Sequence, residues 1–305
     1  MNLLRPLNNY GLKYEIISCY HLPELEREYI SAIQSHNLDK KLFNRYLSHL
    51  DFKIPRNFPE AQSIIVVASP SFCSEAGFKY SGKDYRFTIP PTYRRYNDLE
   101  AEILNTISSY LKPAGYKAVA ASLPHKLLAV HSGLAFYGKN NITYVEGMGS
   151  FYQLATFFSD LRVEDERWYD LRMFDRCNTC SACVKVCPTK AINSEKFMIN
   201  AERCITFFNE NGYEFPEWIS PKAHNSLIGC MLCQYNCPEN KKKRDIVDYK
   251  VEFTEEETLR IINSRELSEL NAELRTKLNS LDLLNTHTDF NNLKRNLLTL
   301  LLGNN

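Results

Sequence analysis

The chain has 305 residues, 44% of them hydrophobic and 24% charged, with a formal net charge of +1. That length suits a sizeable core and about two domains, and a near-neutral balance excludes a global field for nucleic acid or membrane, leaving only local patches. It contains no run of about 18 apolar residues and no basic-then-apolar N-terminus, so a cytoplasmic protein without a membrane contact is expected.

The first fifty residues read as helical. After Pro23, Leu25, Tyr29 and Ile33 recur at four-residue spacing, and Leu42, Tyr46 and Leu50 repeat the period. Ser63 to Ala68 is an apolar, β-branched run stopped by Pro70, the pattern of a buried strand, parallel or central in its sheet. Residues 80–97 then mix Tyr80, Asp84, Tyr85, Arg86, Tyr93, Arg94, Arg95 and Tyr96 around Pro90-Pro91, and adjacent prolines exclude a regular element. This stretch reads either as a surface loop or as a substrate-facing one, in which arginine meets phosphate and tyrosine stacks on bases.

Leu99, Ile103, Ile107 and Leu111 mark a helix stopped by Pro113 and Gly115, and Tyr116 to Ser122 reads as a second strand. Another helix opens at Pro124 and ends at Gly133. A turn containing Gly138, Lys139 and Asn140 follows, then a strand over Ile142–Val145, then a loop with Gly147, Gly149 and Ser150. Glycines flanked by Lys, Asn and Ser donors suit a backbone that hugs a polar cofactor; they equally make ordinary turns. Neither a Walker nor a Rossmann fingerprint occurs. His125 and His131 lie six apart, on different helix faces, and are not a metal pair.

Eight of the ten cysteines fall between Cys177 and Cys237. Cys177, Cys180, Cys183 and Cys187 form C-x2-C-x2-C-x3-C closed by Pro188; Cys204 stands alone; Cys230, Cys233 and Cys237 form C-x2-C-x3-C closed by Pro238. Eight thiolates suffice for two [4Fe–4S] cubanes. Three cysteines two apart wrap one cube, and the fourth, before proline, turns to the other. One set is therefore Cys177, Cys180, Cys183 and Cys237, the other Cys187, Cys204, Cys230 and Cys233. Zinc favours two separated C-x2-C knuckles and fits this run poorly; disulfides suit an oxidising compartment. Cys19 and Cys73 read as small buried hydrophobes. Lys241 to Arg244 is either a solvated linker or a patch for an anionic partner, RNA or an acidic electron donor. The tail reads as helical, with a capping box at Thr254 and Glu257, leucines at helical spacing from Leu267 to Leu274, and a last helix over Leu293, Leu297 and Leu300 ending at Gly303.

These residues together resemble the epoxyqueuosine reductase family. The resemblance rests on Pro59 to Val67, Gly82-Lys83-Asp84-Tyr85, Ser132 to Asn140, Gly149-Ser150, the second cysteine motif from Gly229 to Asn240, and Arg295-Asn296. It implies a cobalamin (corrinoid) bound base-off over Gly138, Lys139, Asn140, Gly149 and Ser150, fed by two [4Fe–4S] clusters, acting on epoxyqueuosine in tRNA or on a related unknown substrate. It also implies a low-potential donor such as a ferredoxin or flavodoxin. The family's acid on the strand before the Gly-Leu helix is missing: Val119 to Pro124 carries no carboxylate, and Arg86 replaces a histidine. That marks a sister branch and leaves Tyr85, Asp84, His125 or water as candidate proton donors. The expected fold is α/β (α+β). Residues 1–170 form a mixed-sheet corrinoid-binding domain, nitroreductase-like by resemblance, 171–245 a ferredoxin-like double-cluster domain, and 246–305 a helical tail. The alternative function is a non-catalytic iron–sulfur carrier that reduces another corrinoid or redox protein.

Overall fold

The computed structural model describes residues 3–35, 44, 48–163, 167–193, 198–284 and 287–303. Nine strands are assigned among them: β1 (Lys13–Ser18), β2 (Ser63–Pro70), β3 (Cys73–Tyr80), β4 (Lys83–Ile89), β5 (Ala118–Ala120), β6 (Phe136–Tyr137), β7 (Thr143–Tyr144), β8 (Tyr152–Ser159) and β9 (Val247–Phe253). The chain folds as two compact units, Met1–Pro70 with Tyr96–Thr179, and Ser71–Arg95 with Cys180–Asn305.

In the first unit the sheet runs β1-β2-β8-β5. β2 is central, as its apolar run predicts, but every neighbouring pair is antiparallel, so the expected mixed sheet is not formed here. A run apolar at every position reports burial on both faces, and that condition does not fix strand direction. Alternation along β2 separates the two faces. Ile64, Val66 and Ala68 pack with Leu22 and Leu25 of the helix Leu22–Ser35 and with Leu128, Ala129 and Val130 of the helix His125–His131. Ile65 and Val67 pack with Ile103, Ile107 and Leu111 of the helix Tyr96–Leu111. The N-terminal region is not helical throughout: a 3-10 turn, Arg5–Tyr10, closes at Gly11 (φ 73°) and leads into β1. Leu42 and Tyr46 lie outside the described residues, and Leu50 is not helical.

In the second unit the order is β4-β3-β9, with β4 antiparallel and β9 parallel to β3. The stretch expected as an irregular loop is therefore largely a hairpin. Ser81 and Gly82 both hold positive φ (49° and 72°), the condition of a tight two-residue turn. Beyond it Tyr85, Phe87 and Ile89 point inward while Asp84 and Arg86 face solvent; the prolines end the strand rather than abolish it. The tail likewise opens with a strand, β9, before its helices. Phe78 stacks on Phe253 at 4.7 Å and 7°, in a core shared with Leu274, Leu278, Leu293, Leu297 and Leu301. The capping box is present: Thr254 N–H donates to Glu257 at 2.7 Å, and Glu257 N–H to the Thr254 hydroxyl at 3.2 Å. Residues 71–95, 180–245 and the tail thus fold as one unit, which divides the chain differently from boundaries at 170 and 245. Among the described residues no helix is long and apolar enough to cross a membrane.

Candidate functional site

The two cysteine runs fold alike. A short helix, Ala182–Val186, carries Cys183, and another, Leu232–Tyr235, carries Cys233; the two pack together. Each is followed by a cysteine in extended conformation, Cys187 (φ −70°, ψ 109°) and Cys237 (φ −75°, ψ 125°). The cause is the next residue, because proline disfavours helical geometry before it. The Cys-Pro pairs therefore turn the last thiol of each run off its helix.

Cys187, Cys204 and Cys230 lie close together in the second unit. Burial, then the neighbouring Cys230 and Cys187 thiols, push Cys204 up to about 11, against hydrogen bonds from Thr206. Burial also raises Cys230, with Cys187 adding to it, against the Asn225 side chain and the Leu232 N–H. Asn225 Nδ2 donates to Cys230 Sγ at 3.2 Å. Gathered thiols that repel one another's ionisation, yet receive N–H and O–H donors at sulfur, have the chemistry that thiolate ligation of a metal centre uses.

The Arg295-Asn296 pair holds this region together. Asn296 Nδ2 donates to the carbonyls of Asn209 (2.9 Å) and Leu227 (3.1 Å), and Arg295 to those of Phe208 (2.6 Å) and Tyr213. Asn240, fully buried, donates to the Gln234 carbonyl at 2.8 Å. Gly229, at φ 67°, leaves the room that Tyr93 fills: an added Cβ would lie 2.7 Å from its hydroxyl. Arg244 of the basic run donates to the Tyr235 carbonyl at 3.0 Å, while Lys241 and Lys242 are exposed.

The glycine turns lie in the first unit, at either end of β7. Gly138 N–H donates to the Ile142 carbonyl (2.7 Å) and Asn141 N–H to the Gly138 carbonyl (2.9 Å). Asn140 Nδ2 donates to the Tyr144 hydroxyl at 3.0 Å, so its side chain shapes the turn. Lys139 is half-buried and Ser150 buried. Phe136 and Phe174, both half-buried, pack beside the turn with centroids 5.6 Å apart. The segment of Phe174 runs along β6, where Phe174 N–H donates to the Tyr137 carbonyl at 2.8 Å and Tyr137 N–H to Arg172 at 3.0 Å. Cys177 N–H in turn donates to the Phe174 carbonyl at 2.8 Å. The first cluster-motif cysteine is thereby fastened beside the glycine turn.

That segment is anchored by contacts with no sequence signature. Trp168 is sandwiched between His21 and His131, each at 4.1 Å and within 5° of parallel. His131 bonds Glu28 (2.7 Å) and the Tyr169 carbonyl (2.6 Å), and His21 bonds Glu24 (3.3 Å). Of the candidate proton donors, Tyr85 packs in the second unit's core and Asp84 is exposed on the same hairpin. His125 is in the first unit, where burial lowers its pKa despite hydrogen bonds with the Ala121 and Leu154 main chain. Cys19 and Cys73 are buried, and burial raises their thiols to about 12 and about 11.

Residues 176–240 match the 4Fe-4S double cluster binding domain, a span that takes in all eight clustered cysteines. Epoxyqueuosine reductase of Cellulophaga algicola is 32% identical over 167 residues, 53% of this chain and 51% of that protein. Its counterpart in Bacillus subtilis is 27% identical over 225 residues, 70% of this chain and 54% of that one. Over these spans the chain is similar in sequence to epoxyqueuosine reductases. It spans about half the length of these curated relatives. The Streptococcus thermophilus family structure superposes with a TM-score of 0.66 at 18% identity, covering 99% of this chain and 80% of that one. A family structure with an epoxyqueuosine-modified tRNA stem loop gives 0.66 at 19%, with the same coverage. At these identities the structures establish the fold.

Proposed function

We propose that the chain is an iron–sulfur-dependent reductase of the epoxyqueuosine reductase type, acting on epoxyqueuosine in tRNA or on a related substrate. The observation that carries this reading is the Phe174–Tyr137 hydrogen bond, which fastens the lead-in to Cys177 beside the Gly138 turn. Removing an epoxide oxygen as water takes two electrons and two protons, whereas an iron–sulfur relay supplies electrons singly. Cys177, Cys180, Cys183 and Cys237 hold one cluster and Cys187, Cys204, Cys230 and Cys233 the other; the closeness of Cys187, Cys204 and Cys230 supports the second set.

A corrinoid fits the first unit. Its flat ring suits the half-buried Phe136 and Phe174, and its carboxamide rim suits the main chain of the 138–142 and 145–149 turns with Lys139 and Ser150. Bound there, it would collect single electrons and deliver a pair to carbon. Gly138 and Asn140 serve by shaping the turn, Gly149 by closing the next one on Val145. With a corrinoid there, this unit would be a corrinoid-binding domain of nitroreductase-like fold. Exposed Lys241 and Lys242 suit an acidic donor such as a ferredoxin or flavodoxin, and the tRNA stem loop held by a family structure supports tRNA as substrate.

The test is anaerobic purification with added cobalamin, then visible spectra, iron analysis and incubation with epoxyqueuosine-containing tRNA and a reductant. Two clusters, a retained corrinoid and conversion to queuosine are expected. Clusters without corrinoid would favour the electron-carrier alternative; corrinoid with unchanged tRNA would point to a different substrate.

A further inference from the structure

Asn225 lies outside both cysteine motifs, yet its side chain reaches one of their sulfurs. Nδ2 is 3.2 Å from Cys230 Sγ and 3.1 Å from the Ala223 carbonyl. Oδ1 accepts from Met231 N–H at 3.0 Å and from the Ser226 hydroxyl at 3.1 Å. The amide orientation follows from chemistry: Met231 N–H requires an acceptor, so oxygen faces it, and the amine must face the sulfur. His224, Ser226, Leu227 and Ile228 around it are buried, and a hydrogen bond in such surroundings is strengthened by weak screening.

We infer that Asn225 sets the reduction potential of the cluster bound through Cys230. A donor at a ligating thiolate draws charge off the sulfur and stabilises the reduced, more negative cluster, and hydrogen bonds to sulfur are among the determinants of cluster potential. The Cys204 and Cys230 sulfurs also receive donors from Thr206 and from the Leu232 main chain. Asn225 differs in lying outside the ligand loops, although its Oδ1 braces one of them at Met231 N–H. It is a positioning residue for electrons, acting through Cys230 on the cluster. The inference rests on the double-cluster reading and not on the corrinoid or the substrate.

The experiment is a redox titration followed by electron paramagnetic resonance on the anaerobically purified holoprotein. Asn225→Leu is expected to make one cluster harder to reduce, by about tenfold in its reduction equilibrium, or about 59 mV for one electron. Asn225→Asp, which keeps the acceptor for Met231 but replaces the donor with a negative charge, is expected to shift the same cluster further. The other cluster stays in place, and Ser226→Ala, which removes only a brace on Oδ1, leaves both potentials unmoved. The inference is overturned if Asn225→Leu leaves both potentials unchanged, if both clusters move equally, or if Ser226→Ala reproduces the shift. Loss of the cluster from both Asn225 variants would also overturn it, since the residue would then serve assembly. Wild-type protein lacking two clusters would instead refute the reading beneath it.

Discussion

At the residue scale, His131 is the titratable group with the clearest consequence for stability. Burial alone would lower its pKa, but the Glu28 carboxylate and Tyr169 carbonyl outweigh burial and hold it above the ordinary value. A histidine whose folded pKa exceeds the unfolded one stabilises fully below the unfolded value of about 6.5. That contribution is lost as pH rises through the folded pKa. Glu28→Gln is expected to cost about 1–3 kcal/mol near pH 6 and to flatten the fall in stability toward alkaline pH; melting curves across pH 5.5–8.5 (about three units, spanning the window) check both. Residues differ in how far the sequence reveals them. The cysteine run is legible because its spacing is dictated by the object it wraps. Asn225 and Trp168 are not, since one sits five positions before its sulfur in no motif and the other meets partners 37 and 147 positions away.

At the element scale, the legible parts are those with one strong period. The helix Tyr96–Leu111, the strand β2 and the capping box at Thr254 each announce themselves locally. The hairpin β3–β4 hides because its outward residues, Asp84 and Arg86, are charged and its end carries two prolines. Its inward alternation of Tyr85, Phe87 and Ile89 is the signal that a loop would lack. β9 hides for a related reason: Asp248, Lys250 and Glu252 face outward, leaving little apolar sequence to notice. Its partner β3 lies more than 160 residues earlier, and parallel pairing over that distance leaves no local trace. The stacking of Phe253 on Phe78 shows how much this pairing matters to the core. Phe253→Ala is expected to destabilise the second unit by about 3–5 kcal/mol, seen as a lowered denaturation midpoint with no change in the first unit's transition.

At the scale of the whole chain, the second unit is discontinuous. The hairpin of 71–95 and the segment from Cys180 onward complete one core, and the tail supplies Phe253, Leu274, Leu278, Leu293, Leu297 and Leu301 to it. Arg295 and Asn296 extend that dependence to the backbone around the cysteines. A chain ending at Asp245 is therefore expected to lose its iron and become protease-sensitive across 180–245, even though every cysteine remains. Iron analysis and limited proteolysis check this; a soluble truncated chain with both clusters would show that the tail is dispensable. The sequence suggests a self-sufficient cysteine domain because ligands cluster in 61 consecutive positions, whereas the hydrophobic support for them is distributed over the chain.

The sandwich of Trp168 between His21 and His131 has an optical consequence. The protein contains two tryptophans; Trp218 is 46% exposed, while Trp168 lies face to face with two imidazoles. Stacked imidazolium accepts an electron from an excited indole, so Trp168 emission is expected to be quenched while His131, whose pKa Glu28 and the Tyr169 carbonyl hold above the ordinary value, carries its proton. The light from one side chain then reports, without any added label, whether the backbone leading to Cys177 is seated against its strand.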